Sequence, residues 1–205
     1  MSVYAFNQRD SCLDRLARSP LNGPGQIALN IAATLGHTRV VQALLSHTRP
    51  PRADAQPDVS AFAPLHTCVQ NGHIETVKAL LASLRARGGN INVATASGDT
   101  ALHFATELGR LDLVNILLDA GASLNFVDQE GDTPMHLAID FKHHKIVKAL
   151  LAHRPAPNLD LQGKEQLTPL AFAAAKGDIA MVTLLLAQKP APNQNLRNKW
   201  GASVR

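Results

Sequence analysis

The feature that most constrains the fold is a unit of about 35 residues that recurs five times. Five similar tetrapeptides end at residues 30, 66, 103, 136 and 171, at intervals of 36, 37, 33 and 35 residues. A second marker lies six residues later, at Gly36, Gly72, Gly109, Lys142 and Gly177. An apolar pair follows in each unit, at Leu44-Leu45, Leu80-Leu81, Leu117-Leu118, Leu150-Leu151 and Leu185-Leu186. Three markers in phase predict an array of repeats that bury their apolar faces against one another.

Each unit predicts two short helices. Thr100, Thr133 and Thr168 can cap the first helix, and Pro134 and Pro169 stand at its first position, where a missing N–H costs nothing. The helix ends at the second marker, where glycine tolerates a left-handed backbone. The second helix carries one buried stripe, which in the third unit is Leu113, Val114, Leu117 and Leu118. Neither helix is long enough to be stable alone, so neighbouring units must stack.

Several short motifs add to this pattern. They are Gly98-Asp99-Thr100-Ala101-Leu102-His103, Gly131-Asp132-Thr133-Pro134-Met135-His136, Gly36-His37, Gly72-His73, Ile146-Val147-Lys148-Ala149-Leu150-Leu151 and Gly121-Ala122-Ser123-Leu124-Asn125. On these residues the chain resembles the ankyrin-repeat family over residues 22–205. The resemblance implies an all-α fold, an ankyrin-type solenoid of stacked helix-turn-helix repeats joined by β-hairpin loops. Unit one departs from the pattern at Ile27 and Asn30, and unit five at Ala171.

The repeat spacing predicts the domain organisation. We expect an N-terminal capping segment at residues 1–21 and an array at residues 22–205. Repeats one to five are expected at 22–57, 58–94, 95–127, 128–162 and 163–197, with a partial unit at 198–205. Because that unit is only a loop without helices, we expect residues 195–205 to lack support of their own and the natural chain to continue.

Composition narrows the class of protein. The chain is 45% hydrophobic and 18% charged, which favours a folded core over disorder. Its net charge is +4, and the densest basic stretch is Lys142, Lys145 and Lys148, which on a helix form a solvated face. Aromatic residues are only 4%. Nucleic-acid binding, which usually needs basic grooves and stacking aromatics, is therefore disfavoured. Two cysteines, Cys12 and Cys68, favour a reducing compartment.

No targeting segment or membrane span is indicated by the sequence. The N-terminus lacks the apolar run of a secretory signal, and no apolar run approaches the ~20 residues that cross a bilayer. A cytoplasmic location is therefore predicted, and a nuclear location or delivery into a host cell stays open. We expect a monomer.

No motif of catalysis, cofactor binding or metal binding is found, so we predict a protein that is not an enzyme, has no cofactor and binds no small-molecule substrate. The ankyrin resemblance implies that His66, His103 and His136 join the backbones of adjoining repeats by hydrogen bonds rather than bind metal. His143 and His144 are adjacent and face different ways on a helix, which disfavours a shared ion. Cys68 is expected to be a buried thiol.

The resemblance implies that a partner protein binds the concave surface formed by the hairpin tips and the first helices. In repeats three to five the resemblance places these residues on that surface: Ala96, Ser97, Asp99, Glu107, Leu108, Gln129, Glu130, Asp132, Asp140, Phe141, Lys164, Glu165, Leu167, Ala175 and Lys176. Trp200, at the last tip, is either a binding residue or a residue that packs on a further repeat. The five carboxylates of repeats three and four suggest an acidic groove for a basic segment of the partner; they are Asp99, Glu107, Glu130, Asp132 and Asp140.

Two alternatives stay open. Some of these acids could instead cap turns, as we expect of Asp128, or favour the N-terminal end of a helix. The chain could also be the recruiting or regulatory portion of a larger enzyme or secreted effector, with the activity elsewhere. Nucleic-acid binding through a basic convex face is a weaker third hypothesis. Our first hypothesis is a scaffold or adaptor that binds another protein.

Overall fold

A computed structural model describes residues 24–46 and 63–203. The chain divides into two compact units, unit 1 at residues 1–96 and unit 2 at residues 97–205. The expected capping segment at 1–21 and the connection between repeats one and two at 47–62 lie outside the described residues, as do the last two residues of the partial unit.

Unit 1 contains two helix pairs, which correspond to repeats one and two. They are α1 (Pro24–Thr34), α2 (Thr38–Ser46), α3 (Pro64–Gln70) and α4 (Ile74–Arg87). Helix α1 packs on α2 and α3, and α4 packs on α2 and α3. Leu29, Val41 and Leu80 are fully buried between them.

Unit 2 contains three helix pairs, which correspond to repeats three to five. They are α5 (Ala101–Glu107), α6 (Leu111–Asp119), α7 (Pro134–Asp140), α8 (His144–Ala152), α9 (Pro169–Ala175) and α10 (Ile179–Leu186). Helix α7 lies between α5 and α9, and α8 packs on α6. The first helices therefore form one row within this unit, and their exposed sides can build a continuous surface.

The predicted stripes form the core of unit 2. Leu113, Leu117 and their partners on α6 are buried, and so are Ile146 and Leu150 on α8. Burying each such side chain fully contributes roughly 1.5–3 kcal/mol, so each helix is stabilised mainly by its neighbours in the stack.

Each first helix is followed, two residues after its end, by a residue with a left-handed backbone, as predicted. Four of these residues are glycine, with φ between 68° and 73°, and the fifth is Lys142, with φ 56°. The left-handed turn lets the amide of the next residue bond back to the helix, as His143 N does to Ala138 O at 2.8 Å. Lys142 adopts this conformation with a Cβ atom, which is strained.

Replacing Lys142 by glycine should therefore stabilise the protein. A Cβ in the left-handed region costs roughly 1 kcal/mol, and the greater freedom of glycine in the unfolded chain offsets part of that gain. Urea denaturation of Lys142→Gly should show a higher midpoint with an unchanged slope. A lower midpoint would mean that the lysine makes contacts worth more than the strain.

The tips of the repeats differ from the expected β-hairpins. Among the described residues no strand is formed; the tips of repeats four and five are instead tight loops closed by backbone hydrogen bonds. The loop of repeat four is closed by Asp128 N to Asp132 O at 3.0 Å, and that of repeat five by Gly163 N to Leu167 O at 2.9 Å. A backbone bond from Gln129 N to Ser97 O, 2.9 Å long, joins the tips of repeats three and four.

Candidate partner-binding site

The tip loops of unit 2 are shaped by their first residues. In repeat four, Asp128 Oδ1 accepts the backbone N–H groups of Glu130 and Asp132, at 2.9 and 2.8 Å. In the partial unit, Asn198 Oδ1 accepts the amides two and four residues later, at 3.0 and 2.9 Å. Asp128 therefore caps a turn, as expected from the sequence. Repeat five has Gly163 at this place and so lacks a capping side chain.

Most of the predicted partner-binding residues lie at the surface of unit 2. The exposed ones are Ser97, Glu107, Leu108, Gln129, Glu130, Phe141, Lys164, Lys176 and Trp200, and the half-buried ones are Asp99, Asp140 and Glu165. Ala96 belongs to unit 1, and it and Ala175 are exposed. The predicted residues of unit 2 that are exposed or half-buried are called the tip–groove surface.

Two of the residues that were predicted to contact a partner are buried, so the prediction was wrong for them. Asp132 is only 6% exposed and Leu167 only 9%, so neither can meet a partner directly. The Asp132 carboxylate turns under the tip of repeat five, where Oδ1 accepts the N–H of Lys164 at 2.8 Å. Burial raises the pKa of this carboxyl above its usual value, and the bond from Lys164 opposes that shift.

Lysines neutralise part of the expected acidic groove. Lys164 Nζ lies 2.8 Å from Glu130 Oε2, and Lys176 pairs with Asp140. Both lysines belong to repeat five and both carboxylates to repeat four, so each pair joins two repeats. All four residues were predicted on one surface, but their pairing was not predicted.

A third ion pair involves a residue that the sequence analysis missed. Lys199 Nζ lies 3.1 Å from Glu165 Oε1 and 4.5 Å from the centre of the Trp200 ring. Lys199 holds the same loop position as Lys164, and each lysine pairs with the tip glutamate of the preceding repeat. The spacing of 35 residues between the two lysines, which equals the repeat length, could have revealed this from the sequence.

Apolar side chains stand beside these charges. Leu108 and Phe141 directly follow the first helices of repeats three and four and are 49% and 46% exposed. The Phe141 ring stacks on His143, with ring centres 6.0 Å apart and planes 15° apart. Trp200 is 64% exposed. These side chains give the tip–groove surface apolar contact area between its charged groups.

Histidines join neighbouring repeats, as the resemblance implied. His136 Nδ1 accepts the N–H of Thr133 at 3.1 Å, and Nε2 lies 3.0 Å from Leu167 O in the next tip loop. His103 bonds to Thr100 and Asp132 O in the same way. His66 bonds to Ala63 and to Val93 O, which lies at the end of its own repeat two. Because Nδ1 accepts a backbone N–H, Nε2 must carry the proton and the ring must be neutral.

A second set of histidines also joins repeats, a role that was not predicted from the sequence. His143 Nε2 donates to Glu107 O at 3.2 Å, and His73 Nε2 donates to Thr34 O at 3.1 Å. Each imidazole thus satisfies a free carbonyl at the end of the preceding first helix. In repeat five the equivalent residue is Asp178, whose Oδ2 lies 2.9 Å from His144 Nε2.

The other candidate chemical groups are structural in the described part of the chain. Cys68 is fully buried, its Sγ donates to Leu65 O, and burial raises the pKa of its thiol far above the usual value, which disfavours a reactive thiolate. Cys12 lies outside the described residues. Within residues 24–46 and 63–203, no three His, Cys, Asp or Glu side chains are grouped as metal ligands would be. No helix there is long and apolar enough to cross a membrane.

Comparison with known proteins identifies the class. The family model described as Ankyrin repeats (3 copies) matches residues 1–93, 55–128, 83–162 and 121–198, which together cover most of the chain. The chain therefore belongs to the ankyrin-repeat family, and the predicted all-α repeat fold is confirmed. Ankyrin repeats are in general protein–protein interaction modules.

Two relatives match parts of the chain. The B-cell lymphoma 3 protein homolog of Mus musculus is 34% identical over 121 residues, which are 55% of this chain and 26% of the relative. The Ankyrin repeat and KH domain-containing protein 1 of Homo sapiens is 37% identical over 79 residues, which are 38% of this chain and 3% of the relative. The matched stretch is therefore only a small part of each of these relatives.

Proposed function

We propose that this chain is a protein-interaction module, an ankyrin-type scaffold or adaptor, that binds a partner on the tip–groove surface of unit 2. The observation that carries the proposal is the row of exposed apolar residues among charges, with Leu108 beside Glu107 and Phe141 beside Asp140. An aromatic anchor surrounded by polar groups is typical of the centre of a protein interface.

A basic segment of the partner, extended or helical, fits this surface best. The Glu107 side chain is exposed, and within the described residues no ion pair holds its carboxylate. Glu130 and Asp140 are paired with Lys164 and Lys176, but the side chains of both pairs are 38–57% exposed. Such surface pairs are worth about 0–1 kcal/mol, so an incoming cation can replace either lysine at little cost.

The size of the matched stretch supports a second candidate function, in which the chain is the recruiting or regulatory part of a longer protein. The matched stretches cover 26% and 3% of the two relatives, and one of them carries a KH domain in its name. An array of this kind can serve as the recruiting part of a longer protein whose activity lies elsewhere. The binding surface is the same under either reading, and so is its test. The cytoplasmic location and the monomeric state remain predictions.

Charge reversal tests the proposed surface once a pull-down with mass spectrometry has identified the partner. Asp99→Lys combined with Glu107→Lys should slow association about tenfold at low salt, because surface charges act mainly on the rate of encounter. The difference should shrink near 0.5 M salt, where the Debye length is about 4 Å. Stopped-flow or surface-plasmon measurements at two salt concentrations give both results.

Asp119→Lys is the matched control, because Asp119 is an exposed carboxylate at the end of a second helix, away from the tips and first helices. It should leave the association rate within about twofold of the original protein, the size expected of a charge far from the interface. The control reverses one carboxylate and the double variant two, so slowing by the control that is half as large on a logarithmic scale would mean that only net charge matters. Unchanged binding by the double variant would place the partner elsewhere on the array.

A further inference from the structure

Two aspartates at the same repeat position turn their carboxylates in different directions. Asp99 Oδ2 accepts the hydroxyl of Ser97, 2.5 Å away, within its own loop. Asp132 holds the equivalent position one repeat later, but its Oδ1 crosses to repeat five and accepts the N–H of Lys164. The residue type alone therefore does not decide where this carboxylate goes.

The first residue of the following loop explains the difference. After Asp99 comes a loop that begins with Asp128, whose own carboxylate caps it. After Asp132 comes a loop that begins with Gly163, which has no side chain. A Cβ atom on Gly163 would overlap Asp132 Oδ1, and it would lie 3.0 Å from His136 Cδ2. The Asp132 carboxylate thus occupies space that a capping side chain at position 163 would need.

The loop of repeat five needs support more than its neighbours do. Glu165 and Gln166 have left-handed backbones, with φ 60° and 58°, although neither is glycine. Repeats three and four have glycine at the position of Gln166, namely Gly98 and Gly131. Without its own cap and with two strained residues, this loop depends on contacts from outside to keep its shape.

We propose that Asp132 is a positioning residue for the tip of repeat five: its carboxylate, supplied by repeat four, replaces the cap that Gly163 lacks. The tip so held carries Lys164 and Glu165, which pair with Glu130 and Lys199. Asp132 therefore sets the charge pattern of the tip–groove surface without touching a partner. That last consequence rests on the proposed function, whereas the structural role does not.

Hydrogen exchange of backbone amides in the full chain tests the structural role directly. In Asp132→Ala the Lys164 amide loses its acceptor and should exchange about tenfold faster, since losing a partly buried hydrogen bond lowers the local opening energy by that order. Asp132→Asn keeps an oxygen acceptor and should retain most of the protection. The control Asp99→Ala should leave the Lys164 amide unchanged.

A double-mutant cycle tests whether Asp132 and Gly163 are a matched pair. Gly163→Asp alone should lower the melting midpoint, because the new side chain overlaps Asp132. Gly163→Asp combined with Asp132→Ala should melt above either single variant, because the new carboxylate can cap its own loop as Asp128 does. This design remains informative even if one single variant fails to fold.

The results separate the two levels of the inference. A Lys164 amide that stays protected in Asp132→Ala, or a double variant that loses the sum of the two single losses, overturns the positioning role. If both structural results are as expected but partner binding is unchanged in Asp132→Ala, the positioning role stands and the proposed binding surface is the part that fails.

Discussion

Lowering the pH from 7 to 4 should destabilise the protein by about 3 kcal/mol through His136 alone. The His136 ring is fully buried, and burial lowers its pKa from 6.5 to about 4, although the bond to Leu167 O acts in the other direction. Protonation would also turn Nδ1 into a donor facing the Thr133 N–H, which it now accepts. The folded protein can therefore take up this proton only at a large cost.

The sign of the effect follows from the two pKa values. Above pH 6.5 the ring is neutral in the folded and unfolded chains, so its contribution to stability is fully present. Between pH 6.5 and about 4 the unfolded chain binds the proton and the folded chain does not, so stability falls as the pH falls. Below about pH 4 both states are protonated and the loss is complete. His103, whose pKa is also lowered by burial, should act in the same direction.

Urea denaturation at several pH values, on the original protein and on His136→Gln, measures this contribution. At pH 7 the variant should be less stable, because it disturbs the bonds to Thr133 and Leu167. Carboxylates titrate in both proteins, so the quantity of interest is the difference between the two curves. That difference should shrink steadily from pH 6.5 to 4, and parallel curves would contradict the assignment of a neutral buried ring.

The repeat fold was predictable from the sequence because its signals are local and repeated. Thr133 and Pro134 start a helix, a left-handed residue ends it, and a stripe such as Ile146 and Leu150 buries the second helix. These effects act within a few residues, so each can be read from the chain directly. Even the left-handed conformation of Lys142 followed from the glycines at its position in other repeats.

The details of the surface were harder to predict because they depend on side chains from two repeats at once. Asp132 stands between a glycine and a threonine, as Asp99 does, yet it is buried because Gly163, 31 residues later, leaves room for it. The partners of Glu130 and Asp140 are lysines of the following repeat. Comparing each tip with the tip one repeat later, rather than reading each alone, supplies the missing information.

Replacing Gly109 by alanine should cost about 2–3 kcal/mol, more than its left-handed backbone alone explains. With φ 69°, a Cβ atom at this position is strained by roughly 1 kcal/mol. That Cβ would also lie 2.7 Å from His143 Cε1, which is too close, so the ring must move. The movement would break the bond from His143 Nε2 to Glu107 O and disturb the stacking of Phe141.

Gly177 provides a matched control at the equivalent position of repeat five. Its φ is 68°, but a Cβ atom there would meet no heavy atom within 4 Å, so Gly177→Ala should cost only the backbone strain of about 1 kcal/mol. In a His143→Ala background, Gly109→Ala should likewise fall to about 1 kcal/mol, because the ring that it displaces is gone. Equal losses for the two glycines in urea denaturation would show that His143 moves aside freely. The bond to Glu107 would then contribute nothing to the contact between repeats three and four.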